Sequence, residues 1–305
     1  MKIIMLFIDG LGLGKNDAES NPLVRFSPRF FKGLFGQPLT MELGTIYRSE
    51  VCLVPTDACL GVEGLPQSAT GQTAIFTGVN AAQIMERHIP GFPGPALASI
   101  IEEHGIMRQL ANRGYKVTSA NMYSPDYQEL VRLRKRRHSV TTLVIMGAEI
   151  VLRSLPEMQQ GQAVCQDLTN EVLLQFAMPG VAAITPTEAG RRLVALAEQH
   201  QFTMFEYFQT DRYGHKQNWL AAERVVKQLD EFLCAVQESA SSDMLIIITS
   251  DHGNFEDLSV RTHTRNPVPT IIMGSRCQEV AAQINSLTDI TPAILTLFKG
   301  ENFYD

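Results

Sequence analysis

The 305-residue sequence has no apolar stretch long enough to cross a bilayer. Its apolar opening, Met1–Ile8, runs straight into Asp9-Gly10, far short of the roughly 20 residues a membrane helix needs. The segment reads as a first β-strand rather than a signal peptide, so the expected protein is cytoplasmic and has no membrane partner. Positive charge is also short: 26 Lys and Arg face 32 Asp and Glu, a net charge of −6. That balance argues against nucleic acid as the main partner, because binding a phosphate backbone needs a basic surface. The five cysteines (Cys52, Cys59, Cys165, Cys234 and Cys277) are odd in number, scattered and free of CxxC spacing. This excludes a disulfide frame or zinc knuckle and fits reduced thiols. There is no internal repeat or low-complexity tract.

What is present is a chain 45% hydrophobic, enough for one large α/β domain or a core with a small insert. Short apolar runs bounded by turn residues predict buried strands at Ile3–Ile8, Lys116–Ala120, Thr203–Phe208, Met244–Thr249 and Pro269–Met273. Helical patterns lie between them, at Thr70–Asn80, Leu97–Arg113, Pro186–Gln201, Trp219–Glu238 and Thr291–Phe298. The alternation predicts a largely parallel sheet covered on both faces. It breaks from about Tyr127 to Ala183, read as a small insert or cap at 127–183 on a core formed by 1–126 and 184–305. The insert carries a basic run, Arg132, Arg134, Lys135, Arg136 and Arg137, which is either a solvated face or an electropositive rim for an anion.

In sheets of this kind, ligands collect at the carboxyl ends of the strands. Asp9, Asp211 and Asp251 each follow a predicted strand. Three histidines stand in polar turns near them: His215 four residues after Asp211, His252 directly after Asp251, and His263 in Thr-His-Thr-Arg-Asn-Pro. Oxygen and nitrogen donors of this kind suit zinc or manganese. Ser68 lies in a Gly/Pro turn leading into a helix, where its local sequence fits equally an N-cap and a hydroxyl facing a bound anion.

These blocks resemble the alkaline phosphatase superfamily, above all the branch holding cofactor-independent phosphoglycerate mutase and phosphopentomutase. Phe7-Ile8-Asp9-Gly10 resembles its first ligand strand, and Ser68-Ala69-Thr70-Gly71-Gln72 with Phe76-Thr77-Gly78 its nucleophile helix. Asp211-Arg212-Tyr213-Gly214-His215, Ser250-Asp251-His252-Gly253-Asn254, Thr262-His263-Thr264 and Asp289-Ile290-Thr291-Pro292 follow in the order the superfamily requires. The resemblance implies an alkaline phosphatase-like three-layer sandwich with a small cap. It implies two divalent metal ions, Mn2+ or Zn2+. Asp9, Asp251 and His252 would hold one, with the Ser68 oxygen as a further ligand; Asp211, His215 and His263 would hold the other. Ser68 would be the nucleophile, forming a phosphoserine with a small phosphorylated substrate. Arg212, Lys216, Asn254 and Arg265, beside the ligands, are candidates for substrate contact.

Two departures bear on the reaction. The mutases carry His where this chain has Gln72 and Phe208, and their insert is far longer. A mutase must hold its intermediate and exclude water, so a small cap favours hydrolysis. The expected activity is a metal-dependent phosphomonoesterase, with a phosphomutase on a small phosphorylated sugar or acid as the alternative. The Cys/Ser-x-Pro-x-Arg motif of sulfatases is absent. A catalytically dead binding protein on this fold would have lost a ligand, and none is lost.

Overall fold

The computed structural model describes residues 1–298. The apolar runs form a seven-stranded sheet of β1 (Lys2–Ile8), β2 (Ile46–Tyr47), β3 (Val51–Thr56), β4 (Val117–Ser119), β5 (Phe202–Tyr207), β6 (Met244–Thr249) and β7 (Val268–Met273). Their spatial order is β2-β3-β7-β6-β1-β5-β4. β6, β1, β5 and β4 run parallel, while β7 is antiparallel to both its neighbours, β6 and β3. All five expected strands form. β2 and β3 were not expected, and the reason is local: β2 has two residues, and β3 contains Pro55, a residue that argues against a strand interior.

Side-chain alternation divides the sheet between two cores. In β1, Ile3, Met5 and Phe7 enter one cluster, and Ile4, Leu6 and Ile8 the other. A strand covered on both faces needs such an unbroken apolar run. Helices Ser68–Thr77, Pro95–His104, Ile106–Ala111, Val140–Gly147 and Ile290–Thr296 cover the first face. Arg29–Phe35, Pro186–Ala197 and Trp219–Ser239 cover the second. The result is the α/β three-layer sandwich expected from the sequence. The helix expected at Leu97–Arg113 is two helices. Gly105 separates them with φ −57° and ψ 129°, and glycine's low helix propensity makes the break inexpensive.

The 127–183 segment holds short helices, Tyr127–Arg132, Val140–Gly147, Leu155–Gln159 and Glu171–Gln175. Val140, Val144 and Ile145 pack into the first main core. Met158, Ala163, Cys165 and Leu173 form a separate small cluster. Among the described residues no helix is long and apolar enough to cross a membrane. All five cysteines are free thiols.

Candidate metal centre

Strand direction gathers the polar residues at one edge of the sheet. β1 ends at Ile8 and releases Asp9; β6 ends at Thr249 and releases Asp251 and His252. β5 ends at Tyr207 and leads into the helix Gln209–Gly214, which carries Asp211. β7 runs the other way, so the loop before it, with His263, reaches the same edge. Ser68 opens the Ser68–Thr77 helix.

The converging atoms are close. Ser68 Oγ lies 3.1 Å from His252 Nε2. That nitrogen is 3.4 Å from Asp9 Oδ1 and 3.5 Å from Asp251 Oδ2. Asp211 Oδ1 is 3.4 Å from His215 Nε2 and 3.6 Å from His263 Nε2. The ligand atoms of Asp9, Asp251 and His252 lie within 4.8 Å of one another, and so do those of Asp211, His252 and His263. His252 thus stands where the two groups meet, its ring stacked on His263 with centroids 3.6 Å apart.

A divalent cation fits this donor set on three counts. Asp9 Oδ1 and Asp211 Oδ1 are buried without a hydrogen-bond partner, a costly state for a carboxylate unless a cation faces it. His263 Nδ1 lies 2.7 Å from the Pro66 carbonyl and His215 Nδ1 2.7 Å from the Arg261 carbonyl. Each Nδ1–H is therefore assigned as the donor, which leaves the two Nε2 lone pairs facing each other at 3.2 Å. The electrostatics agree. Burial, then the nearby Asp251 and Asp211, raise the Asp9 carboxyl well above the ordinary carboxylate range. Burial pushes Asp251 up to about 6. Burial lowers His252 to about 4, and burial with the neighbouring His252 lowers His263 to about 4. His252 and His263 stay neutral, the form that ligates metal, and burial holds Asp9 and Asp251 back from ionising.

The surrounding residues fix this arrangement. Gln72 Nε2 donates to Asp251 Oδ2 at 3.0 Å. Gly71 lets the Ser68 helix abut the Asp251 loop: a Cβ there would lie 2.8 Å from the Asp251 carbonyl oxygen. At Gly214 a Cβ would lie 1.6 Å from Asn254 Oδ1, so a larger residue there would have to displace the Asn254 side chain. Glu256, 1% exposed, accepts from Gly12 N at 3.0 Å, Asn254 N at 2.7 Å and Asn266 Nδ2 at 2.9 Å, and from the Thr264 hydroxyl. It ties the loops bearing Asp9, His252 and His263.

A cavity of about 840 Å³ opens over Asp9, Ser68 and Asp211 and is walled partly by the 127–183 segment. Arg212 lines it. The other candidates for substrate contact lie elsewhere: Lys216 Nζ sits 5.1 Å from the Tyr213 ring centre, Asn254 is fully buried beside His215, and Arg265 is exposed. Sequence reasoning missed Glu256 and Glu206. Glu206 had a signal, a lone carboxylate inside the apolar run of β5. Glu256 had a weaker one, its place just after the Asp-His-Gly-Asn block.

A family model described as Metalloenzyme superfamily matches residues 122–302, more than half of the chain. The 2,3-bisphosphoglycerate-independent phosphoglycerate mutase of Desulforudis audaxviator is 30% identical over 126 residues, and that of Wolbachia pipientis is 32% identical over 130. Each match covers 39% of this chain and 24% of the relative, so the chain matches about a quarter of those proteins' length. Among solved structures, PH0037 from Pyrococcus horikoshii gives a TM-score of 0.59 at 13% identity, covering 100% of this chain and 98% of that one. The alkaline phosphatase of the Antarctic bacterium TAB5 gives 0.54 at 13% identity, covering 98% and 97%. At that identity the likeness speaks for the fold alone.

Proposed function

The chain belongs to the Metalloenzyme superfamily, and on that premise we propose that it is a divalent-metal phosphomonoesterase that takes a phosphoryl group on Ser68 and passes it to water. The observation that carries this reading is the convergence of Ser68 with the aspartates and histidines, Ser68 Oγ lying 3.1 Å from His252 Nε2. Asp9, Asp251, His252 and Ser68 would hold one cation, and Asp211, His215 and His263 a second, with zinc and manganese both suited to the donors. Bound cations would lower the pKa of the serine hydroxyl and offset charge on the phosphoryl oxygens.

The chain's own residues supply the rest. Ser68 heads a ten-residue helix, whose first N–H groups and dipole favour phosphate oxygens. Arg212, on the cavity wall, can donate charge-assisted hydrogen bonds to the same group. Ser68 Oγ forms the new bond to phosphorus as the ester oxygen departs and takes up a proton. Water then attacks the phosphoserine, releasing inorganic phosphate and restoring the hydroxyl. The cytoplasm remains the expected compartment and a small phosphorylated molecule the expected substrate.

The names of the curated relatives favour a second reading, a phosphomutase. Two residues weigh against it. Gln72 is engaged with Asp251, and Phe208 adds apolar surface to the cavity; at neither place is there a histidine to handle a second hydroxyl. The manganese- or zinc-loaded chain is expected to release phosphate from p-nitrophenyl phosphate. Ser68→Ala should reduce that rate by on the order of a thousandfold or more, and acid quenching should trap label from a radioactive phosphate ester on Ser68. Interconversion of two phosphoglycerates or two pentose phosphates without phosphate release would replace the esterase with the mutase.

A further inference from the structure

Building on the phosphomonoesterase reading, we infer that the alcohol leaving group is large and aromatic, seated against the apolar wall that the insert raises over Ser68.

Size is the first argument. At about 840 Å³ the cavity falls in the upper part of the roughly 300–1,000 Å³ range of clefts that enclose drug-sized ligands. A three-carbon phosphoacid would leave most of it to water. The second argument is the wall. Phe92, Tyr123, Tyr127, Leu130, Phe176 and Met178 line it, and Tyr123 and Tyr127 meet edge to face with ring centres 4.9 Å apart. Phe176 is 70% exposed and Phe92 44% exposed. Large rings left in water beside a cleft are the surface that an apolar ligand covers.

The third argument is what the polar side chains are already doing. A sugar or a hydroxy acid is recognised by unengaged donors and acceptors, since the missing partner of a buried polar group is what discriminates. Beyond the aspartates at the metal centre, and with Ser124 and Asp126 at the rim excepted, most polar side chains of the wall are already engaged. Asn121 exchanges both its amide atoms with the Glu206 backbone, at 2.8 Å each. Thr142 Oγ1 meets the Tyr123 hydroxyl at 3.1 Å and Ser139 Oγ at 2.9 Å. The Tyr127 hydroxyl meets His138 Nδ1 at 3.0 Å, Glu206 accepts from Thr141 at 2.6 Å, and Gln166 accepts from Gln209. The tyrosine rings are held by their own hydroxyls, with Tyr127 only 6% exposed, so the carbon surface left for a ligand comes chiefly from Phe92 and Phe176. At the rim, Arg136 lies 5.7 Å from the Tyr127 ring centre and Arg137 5.5 Å from that of Phe92, which places positive charge where an anionic ester enters.

The test uses pairs of esters whose reacting bond is the same primary alkyl phosphate. With the full-length, manganese-loaded chain, kcat/KM is measured for 2-phenylethyl phosphate against ethyl phosphate, and for adenosine 5′-monophosphate against ribose 5-phosphate. The aromatic member of at least one pair is expected to be preferred by about ten- to a hundredfold, the gain from burying one ring. Preference in the first pair alone identifies a simple arene, and in the second a nucleoside. Phe92→Ala and Phe176→Ala should each pull the preferred ratio toward one. Phosphate release from every ester with ratios near or below one in wild type would overturn the inference and leave the phosphomonoesterase standing. No phosphate release from these esters or from p-nitrophenyl phosphate would overturn both.

Discussion

At the scale of single residues, Glu206 is the carboxylate outside the proposed ligand set whose ionisation the fold most resists. It sits in β5 on the cavity wall, its carboxylate accepting from Thr141 at 2.6 Å. Burial pushes it from an ordinary value of 4.5 up to about 7. The folded state therefore holds this proton more tightly than the unfolded chain. Its contribution to stability is complete below about pH 4.5 and is lost as pH rises through 7. In the metal-stripped protein this group should account for roughly 1–3 kcal/mol of stability lost between pH 5 and pH 8, a loss that Glu206→Gln removes. Urea melts of both proteins at the two pH values read it directly; identical pH slopes would show that Glu206 ionises without penalty. The carboxylate inside an apolar run was visible in the sequence. Its partner Thr141, 65 residues away, was not, because that contact depends on how the insert folds back.

At the scale of elements, Asp9, His252 and His263 sit on three loops at one sheet edge, and Glu256 is the anchor those loops share. Its carboxylate faces donors only, from Gly12, Asn254, Thr264 and Asn266. Glu256→Gln turns an amide NH2 toward one pair of those donors and leaves N–H groups unsatisfied, worth about 1–3 kcal/mol. Metal affinity should fall about 10- to 100-fold, the effect of loosening groups that orient ligands. Competition with a chelator measures the affinity, and a thermal melt of the metal-free protein measures the stability. A lower melting temperature with unchanged affinity would confine Glu256 to holding the fold. The strands that release Asp9, Asp211 and Asp251 were legible because each is a short apolar run stopped by a polar residue. β3 was hidden by Pro55, and the single helix read over Leu97–Arg113 was divided by Gly105. Both are places where one residue's backbone chemistry, not periodicity, set the outcome.

At the scale of the whole molecule, the candidate metal centre draws on residues from Asp9 to His263, so cation binding there should stabilise most of the chain. Zinc or manganese at a hundred times its Kd should add about 2.7 kcal/mol and raise Tm by about 5 °C. Chelation should reverse the rise, and Asp211→Asn should shrink it. Equal melting temperatures for chelated and metal-loaded protein would count against the donor set as a metal site. By itself the sequence determined the α/β layers and the identities of the converging groups, because apolar runs record burial and ligand atoms are properties of residue types. Only the tertiary structure decided how those groups are arranged. It put His252 at the meeting point of both ligand groups, turned Gln72 toward Asp251 and built an aromatic wall over Ser68 from Phe92, Tyr127 and Phe176. These contacts join residues far apart in the chain, and such distances close only when the sheet order and the path of the insert are fixed.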